Sequence, residues 1–427
     1  MKIFWALLYN ALLYPLIFLF AMVGSVFQDK LRASVLGRFQ SSSVLKQYFK
    51  SYKSNTDIYW FHAASLGEFY QVKPVIEGLK EIRDEITILV SFSSPSGYDN
   101  AMSNAIDLKV YIPFDFPWTI KKVLNIVRPK KIIFASYDIW PNMIWMARRK
   151  EIHTNIFSAR VKVGSPKLKP VVKQFYRAVY SSLSSIYTVS EKDMEGIHVI
   201  LGKNIGPLVK VLGNPRYDMV KKTADDFTMK HTDSILDREK RIIIGSAHEE
   251  DDHFLIPALA EIMDEYNDIK VLYAPHEPST TAIDRIKAGF KKLGYKGVVF
   301  NKKNDMTLPS DRLVILGVVG VLSKLYWQGR IAFIGGGLTT GIHNVMEPAI
   351  ARLAVLFGPK YHHAHEAEEL LKDGGGFCIN NKNEFLSKIH QLITDNRYYR
   401  MTSLAATDVI HKHLGSSTRI IRNILHD

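Results

Sequence analysis

The feature that most constrains this sequence of 427 residues is a rhythm. Short runs rich in Val, Ile and Phe recur, each followed by a turn rich in Gly, Ser or Pro and then by an amphipathic stretch. Parallel strands can be joined only by a long crossover, usually a helix, so this order predicts βαβ units around a parallel sheet. In the first half the runs at 58–62, 87–91, 109–112, 131–135, 154–158 and 185–189 read as strands, with helices over 68–79 and 141–149. The text GNPRYDMVKKTADD at 213–226 then reads as the end of a strand followed by a polar linker. The rhythm restarts, with strands expected at 241–244, 270–274, 313–316, 331–334 and 354–357. Two doubly wound sheets in series predict an α/β chain of GT-B architecture: two Rossmann-like domains facing a cleft, with ligands at the carboxyl ends of the strands. The last segment, 396–425, reads as helical and is expected to pack back on the first domain.

Composition narrows the partners. With 47% apolar and 23% charged residues the chain is a folded one. The single cysteine, Cys378, can form neither an intrachain disulfide nor a thiolate cluster, which fits a reducing compartment. A formal charge of +14 favours an anionic partner. No arginine-rich tract, zinc-finger spacing or aromatic RNA-binding strand is present, so nucleic acid is not expected.

Residues 3–27 carry no charged side chain and are long enough to cross a bilayer. Lys30, Arg32, Arg38, Lys46, Lys50 and Lys53 follow, which places the main body in the cytoplasm by the positive-inside rule. A signal peptide fits less well, because only Lys2 precedes the apolar run and no small-residue cleavage site follows it. Asn10 and Pro15 leave open a helix that lies in the interface instead of spanning.

The candidate site residues cluster after strands. IAFIGGGLTTGIHNVMEPAIARLAVLFGP begins at Ile331. There a buried strand runs into Gly335, Gly336 and Gly337, and His343 and Asn344 sit where a helix is expected to begin. Such a turn points backbone N–H groups at an anion, typically a phosphate, and Glu347 about a turn later suits ribose hydroxyls. A tight turn with no ligand is the alternative. Ser246 and His248 follow the strand at 241–244, and His276 follows the strand at 270–274, so both open on the same end of the sheet.

In the first half, HAASLGE carries Ser65, Gly67 and Glu68. Gly67 lets a substrate approach the backbone, and Glu68 can serve as a general base or simply complement the helix dipole. Ser93 and Ser96 lie in a hydroxyl-rich turn that holds a phosphate or sugar, or caps its helix. Asp138 precedes a helix opened by Pro141, and Arg160 follows a strand where it could meet an anionic acceptor. The run Tyr361-His362-His363-Ala364-His365 lacks acidic or cysteine ligands at diagnostic spacing and is not expected to bind metal.

Taken in order, HAASLGE, SFSSPSGYDNA, YIPFDFP, DIWPN, SAR, GSAHEEDD, APHEP, and GGG…GIHNVMEPA with FGP resemble the 3-deoxy-D-manno-octulosonic acid (Kdo) transferases of lipopolysaccharide assembly. The resemblance runs through nearly the whole chain. It implies an inverting GT-B glycosyltransferase at the cytoplasmic face of the inner membrane, with CMP-Kdo as donor, a lipid A precursor as acceptor, no bound metal and no cofactor. It further implies an anchor at 1–28, an acceptor-binding domain at 29–215 containing the base Glu68, and a CMP-sugar domain at 216–427. Where the family often has an Asp and a small polar residue, this chain reads Gly317-Val318-Val319-Gly320. Ala354 and Ser136 also depart from the family pattern. Two alternatives stand beside this reading: a GT-B enzyme using another nucleotide sugar such as a UDP-sugar, and a non-catalytic membrane-anchored binding protein.

Overall fold

The computed structural model describes residues 2–51, 56–162, 164–202, 206–228, 234–362 and 364–426; Lys53 and His363 lie outside the described residues. The chain divides into two compact units, Met1–Met219 with Leu414–Asp427, and Val220–His413.

The first unit is built on seven parallel strands. These are β1 (Ile58–Ala63), β2 (Thr87–Phe92), β3 (Leu108–Tyr111), β4 (Lys131–Ala135), β5 (His153–Ala159), β6 (Ser185–Thr188) and β7 (Leu208–Val211), in the order β3-β2-β1-β4-β5-β6-β7. Both faces of the sheet are covered, which is why the central strands β1, β2 and β4 are buried from end to end instead of alternating. Within β1, Trp60 joins a core with Ile120 and Ile144 on one face, while Tyr59 and Phe61 join a core with Val72 and Ile76 on the other. Proline opens the helices Pro95–Asn100, Pro117–Val127, Pro141–Arg149 and Pro170–Tyr180, where its missing N–H costs nothing. The final helix, Ser416–His426, adds Ile420, Ile421 and Ile424 to the second of these cores. Asp218 fixes its start by accepting from the N–H groups of Gly415 and Ser417, each at 2.6 Å.

The second unit carries seven more parallel strands: β8 (Arg241–Ala247), β9 (Lys270–Pro275), β10 (Val298–Phe300), β11 (Leu313–Leu316), β12 (Ile331–Ile334), β13 (Ala354–Phe357) and β14 (Gly376–Cys378). Their order is β10-β11-β9-β8-β12-β13-β14. Leu255, Leu259 and Ile262 of the helix Glu249–Glu265 pack on Ile242, Tyr273 and Phe333 of this sheet. The fold is thus α/β with two Rossmann-like units, the GT-B class.

Three details differ from the expectations, while the last segment is helical and packs on the first unit as expected. Strands β7, β10 and β14 were not anticipated; each sits at a sheet edge and is three or four residues long, too short a run to mark a strand. The polar text at 213–226 contains the boundary between the units, Met219 to Val220, but is helical there, Arg216–Thr228, with Tyr217, Val220 and Ala224 buried along one stripe. The last segment is two helices, Asn396–Lys412 and Ser416–His426, broken at Gly415 with φ of 83°.

Candidate active site

In an open parallel sheet the ligand crevice forms where successive strands leave in opposite directions. In the first unit that point lies between β1 and β4, and HAASLGE and DIWPN leave from it. Ser65 holds the N-cap position of the helix Leu66–Ile82, yet its hydroxyl does not cap the backbone. It donates to the Glu68 carboxylate and so fixes that side chain in the first turn, half-buried. Gly67 is exposed, and a Cβ there would meet only the Ser65 hydroxyl, at 3.6 Å, so packing alone does not demand the glycine.

Beside it lies a network that sequence reasoning did not foresee. His62 is fully buried, with Nδ1 3.0 Å from Ser91 Oγ and Nε2 2.9 Å from Asp138 Oδ2. Burial pushes the Asp138 carboxyl up, but the hydrogen bonds from His62 and Ser93 and the Arg38 charge outweigh it and hold the group below its ordinary value. The carboxylate can only accept; His62 Nε2 also lies 3.1 Å from the Trp140 indole nitrogen, and Ser91, which faces Nδ1, receives the Trp60 N–H at 2.8 Å. Ser93 donates to Asp138 at 2.6 Å, and Arg38 lies 4.6 Å over the Trp140 ring. Ser96 is exposed with its hydroxyl 3.1 Å from that of Ser94, which caps the helix Pro95–Asn100. Arg160 follows β5, one strand further from the crevice, half-buried. The structure thus brings Asp138 and Ser93 together with His62, and leaves Ser96 and Arg160 apart from them.

In the second unit the strand order turns between β8 and β12. Here the three glycines are required by close backbone approaches. A Cβ on Gly335 would lie 2.4 Å from Ser246 O, one on Gly336 2.5 Å from Gly341 O, and one on Gly337 2.6 Å from Gly358 Cα. Gly336 also has φ of 84°, and Ser246 itself sits in the left-handed region at φ 55°, where β8 slips register against β9. Asp251, fully buried, ties the loops together: its Oδ2 accepts from the N–H of His248 at 2.9 Å and of Gly336 at 2.8 Å. The Gly336 N–H expected to face a phosphate is therefore already engaged.

Two further differences follow. The helix after the glycines is the five-residue Met346–Ile350, so His343 and Asn344 stand in the loop before it, and Asn344 Oδ1 accepts from Met346 N–H at 3.1 Å. Glu347 is the second residue of that helix and half-buried. The residues that the crevice gathers instead are three histidines. His248, His276 and His343 pile with centroids 4.3–5.1 Å apart and rings within 20° of parallel, and Nε2 of His248 lies 2.8 Å from Nε2 of His343. Their nitrogens come within 4.8 Å of one another, a set that could hold a metal ion, and the Nε2 atoms of His248 and His343 face each other edge to edge. Burial, and then the neighbouring His248, lower the pKa of His276 below its ordinary value. An anion bound against these rings would oppose that shift.

The chain is similar in sequence and in fold to known proteins. The family model described as 3-deoxy-D-manno-octulosonic-acid transferase (kdotransferase) matches residues 39–219. A 3-deoxy-D-manno-octulosonic acid transferase of Aquifex aeolicus is 27% identical over 357 residues, covering 82% of this chain and 91% of that one. The transferase of Chlamydophila psittaci is 24% identical over 386 residues, covering 88% and 87%. Among solved structures, the UDP-GlcNAc 2-epimerase of Neisseria meningitidis superposes with a TM-score of 0.63 at 14% identity, over 87% of this chain and 100% of that one, a likeness of fold alone. By sequence and fold, the chain is a glycosyltransferase related to the Kdo transferases.

Proposed function

We propose that this chain transfers Kdo from CMP-Kdo to a sugar hydroxyl of a lipid A precursor, with inversion, at the cytoplasmic face of the inner membrane. The acceptor oxygen attacks the anomeric carbon as the bond from that carbon to the CMP phosphate oxygen breaks. The hydroxyl proton passes to Glu68, and the departing CMP takes the bonding electron pair. Charge grows on the phosphate as it leaves, and donors positioned in advance lower the barrier most where charge develops. His248, His276 and His343 fill that role here, with Ser246 and the loop from Gly335 to Asn344 shaping the nucleotide seat and Glu347 placed for the ribose. In the first unit, Ser65, Gly67, Ser93, Ser96, Asp138 and Arg160 are assigned to the acceptor.

The observation that carries this reading is that Glu68 lies at the switch point of one sheet and the histidine stack at that of the other, in a chain related to Kdo transferases. The test is product analysis by mass spectrometry with CMP-Kdo and a tetraacylated lipid A precursor, run beside UDP-sugars as competing donors. Glu68→Ala is expected to lower transfer by about 10²–10⁴-fold while CMP affinity holds. Near-normal turnover of that variant removes Glu68 from the role, and transfer from a UDP-sugar alone overturns the donor.

A further inference from the structure

The apolar N-terminal segment is long enough to cross a membrane, but its docking on the first unit points to another arrangement. Trp5, Tyr9 and Tyr14 are buried, and with Phe18 they mark one face at spacings of four, five and four. A π turn at Tyr9–Leu13 inserts the extra residue that keeps this face in line. Phe175 meets Trp5 at 5.7 Å, Phe116 meets Tyr14 at 4.9 Å, and Phe114 meets Phe18 at 4.9 Å. Tyr9 donates to the buried Asp115 carboxylate at 3.0 Å, and the Asp115 N–H donates to Tyr14 Oη. Asn10 exchanges side-chain hydrogen bonds with Asn142.

From residue 5 to residue 18 the helix runs about 20 Å at 1.5 Å per residue, all of it against the folded body. The next helix, Asp29–Ser51, doubles back along it, with Phe39 at 6.4 Å from Phe18 and Arg32 capping the carbonyls of Ser25 and Val26. That second helix is itself tied to the sheet, Ser34 donating to Ser93 O and Ser41 to Tyr111 O. Were Lys2–Phe27 to cross the bilayer, Asp115, which is bonded to Tyr9 and Tyr14 at its middle, and the edge of the sheet would enter the hydrocarbon with it. Charged groups and unpaired strand edges are not tolerated there.

The outward face is what a membrane surface requires. Phe4, Phe20 and Phe27 are 60%, 74% and 80% exposed, and Leu36 continues the ridge. Trp118, 68% exposed, stacks on Phe116 at 4.7 Å and so sits beside the docked helix. Lys121 and Lys122, three and four residues on, share its helix face. At the other end, Lys2, Arg148 and Arg149 line a groove of about 400 Å³.

We propose that this face is an in-plane membrane-binding surface, docked on the body and seated on an anionic phospholipid leaflet, and that the chain does not span the bilayer. The inference rests on the membrane assignment above but not on the donor or acceptor. For the test, the full-length chain carrying Cys378→Ser receives single substitutions Phe4→Cys, Leu12→Cys, Phe20→Cys or Phe27→Cys, each labelled with a fluorophore. It is then bound to phosphatidylethanolamine–phosphatidylglycerol vesicles containing lipids quenched at shallow or deep acyl positions. All four probes are expected at one shallow depth. A profile deepest at residue 12 and shallow at 4 and 27 overturns the in-plane arrangement while leaving the membrane assignment intact. Absence of vesicle binding overturns both. Lys121→Glu with Lys122→Glu is expected to weaken binding to anionic vesicles about tenfold at low salt, and to leave little difference at high salt. An unchanged affinity at low salt overturns the charged rim.

Discussion

Asp251 offers the sharpest test of how the nucleotide side of the site is held. Its carboxylate is completely buried and survives there because Oδ2 receives two N–H groups and because it lies in the first turn of the seventeen-residue helix Glu249–Glu265. Asp251→Ala strands the N–H groups of His248 and Gly336, each a buried donor without an acceptor at about 1–3 kcal/mol. The two together give a cost of about 2–6 kcal/mol, concentrated on the two loops that carry the glycines and the histidine stack. Asp251→Asn keeps an oxygen where Oδ2 stands and gives up only the charge assistance, about 1–2 kcal/mol. Hydrogen exchange on the full-length chain is the suitable assay, since two units need not unfold in one step. Peptides covering 245–255 and 335–345 are expected to lose protection in the Ala variant and largely keep it in the Asn variant, with CMP affinity falling in the same order. Unchanged protection at Gly336 in the Ala variant, with CMP binding intact, refutes the reasoning.

Other predictions follow from single contacts. Gly336→Ala places a Cβ 2.5 Å from Gly341 O at φ 84°, so a loss of about 1–3 kcal/mol and weaker CMP binding are expected by calorimetry. Asp115 is pushed up to about 7 by burial, against the hydrogen bonds of Asn142, Tyr9 and Met143. Its folded form thus keeps a proton that the unfolded chain releases near pH 4. That contribution is present below about pH 4 and is lost as pH rises to about 7, with a swing on the order of 4 kcal/mol. Asp115→Asn should flatten the pH dependence of unfolding of the first unit across that window, and an unaltered slope speaks against it. Since burial and His248 lower the His276 pKa, a bound phosphate should restore its proton. CMP affinity should therefore rise as pH falls from about 7 to about 5, and His276→Gln should remove most of that dependence in titrations at each pH.

Much of the fold was legible because parallel strands covered on both faces are continuous apolar runs. Lys131–Ala135, Leu313–Leu316, Ile331–Ile334 and Ala354–Phe357 have the bounds that their sequences suggest. Edge strands such as Leu208–Val211, four residues long and alternating in exposure, are too short to stand out. In the site, the glycine triplet and the three histidines could be singled out by their place after strands. Asp251 could have been read from its offset of three from His248, a capping-box spacing. His62 and Arg38 had no local signal, because their partners lie up to about a hundred residues away.

The order of strands, the turns that follow them and the polar residues in those turns are written locally, since each depends on neighbours within a few residues. What only the tertiary structure decided is which of those residues meet. Asp138 with His62, Asp251 with Gly336, and the stacking of His248 on His276 and His343 all join side chains brought close by strand order, not by sequence. The apolar segment shows the same division. Hydropathy alone marks a length sufficient to cross a bilayer, whereas Tyr9, Tyr14 and their contacts with Asp115 determine which face is left for lipid.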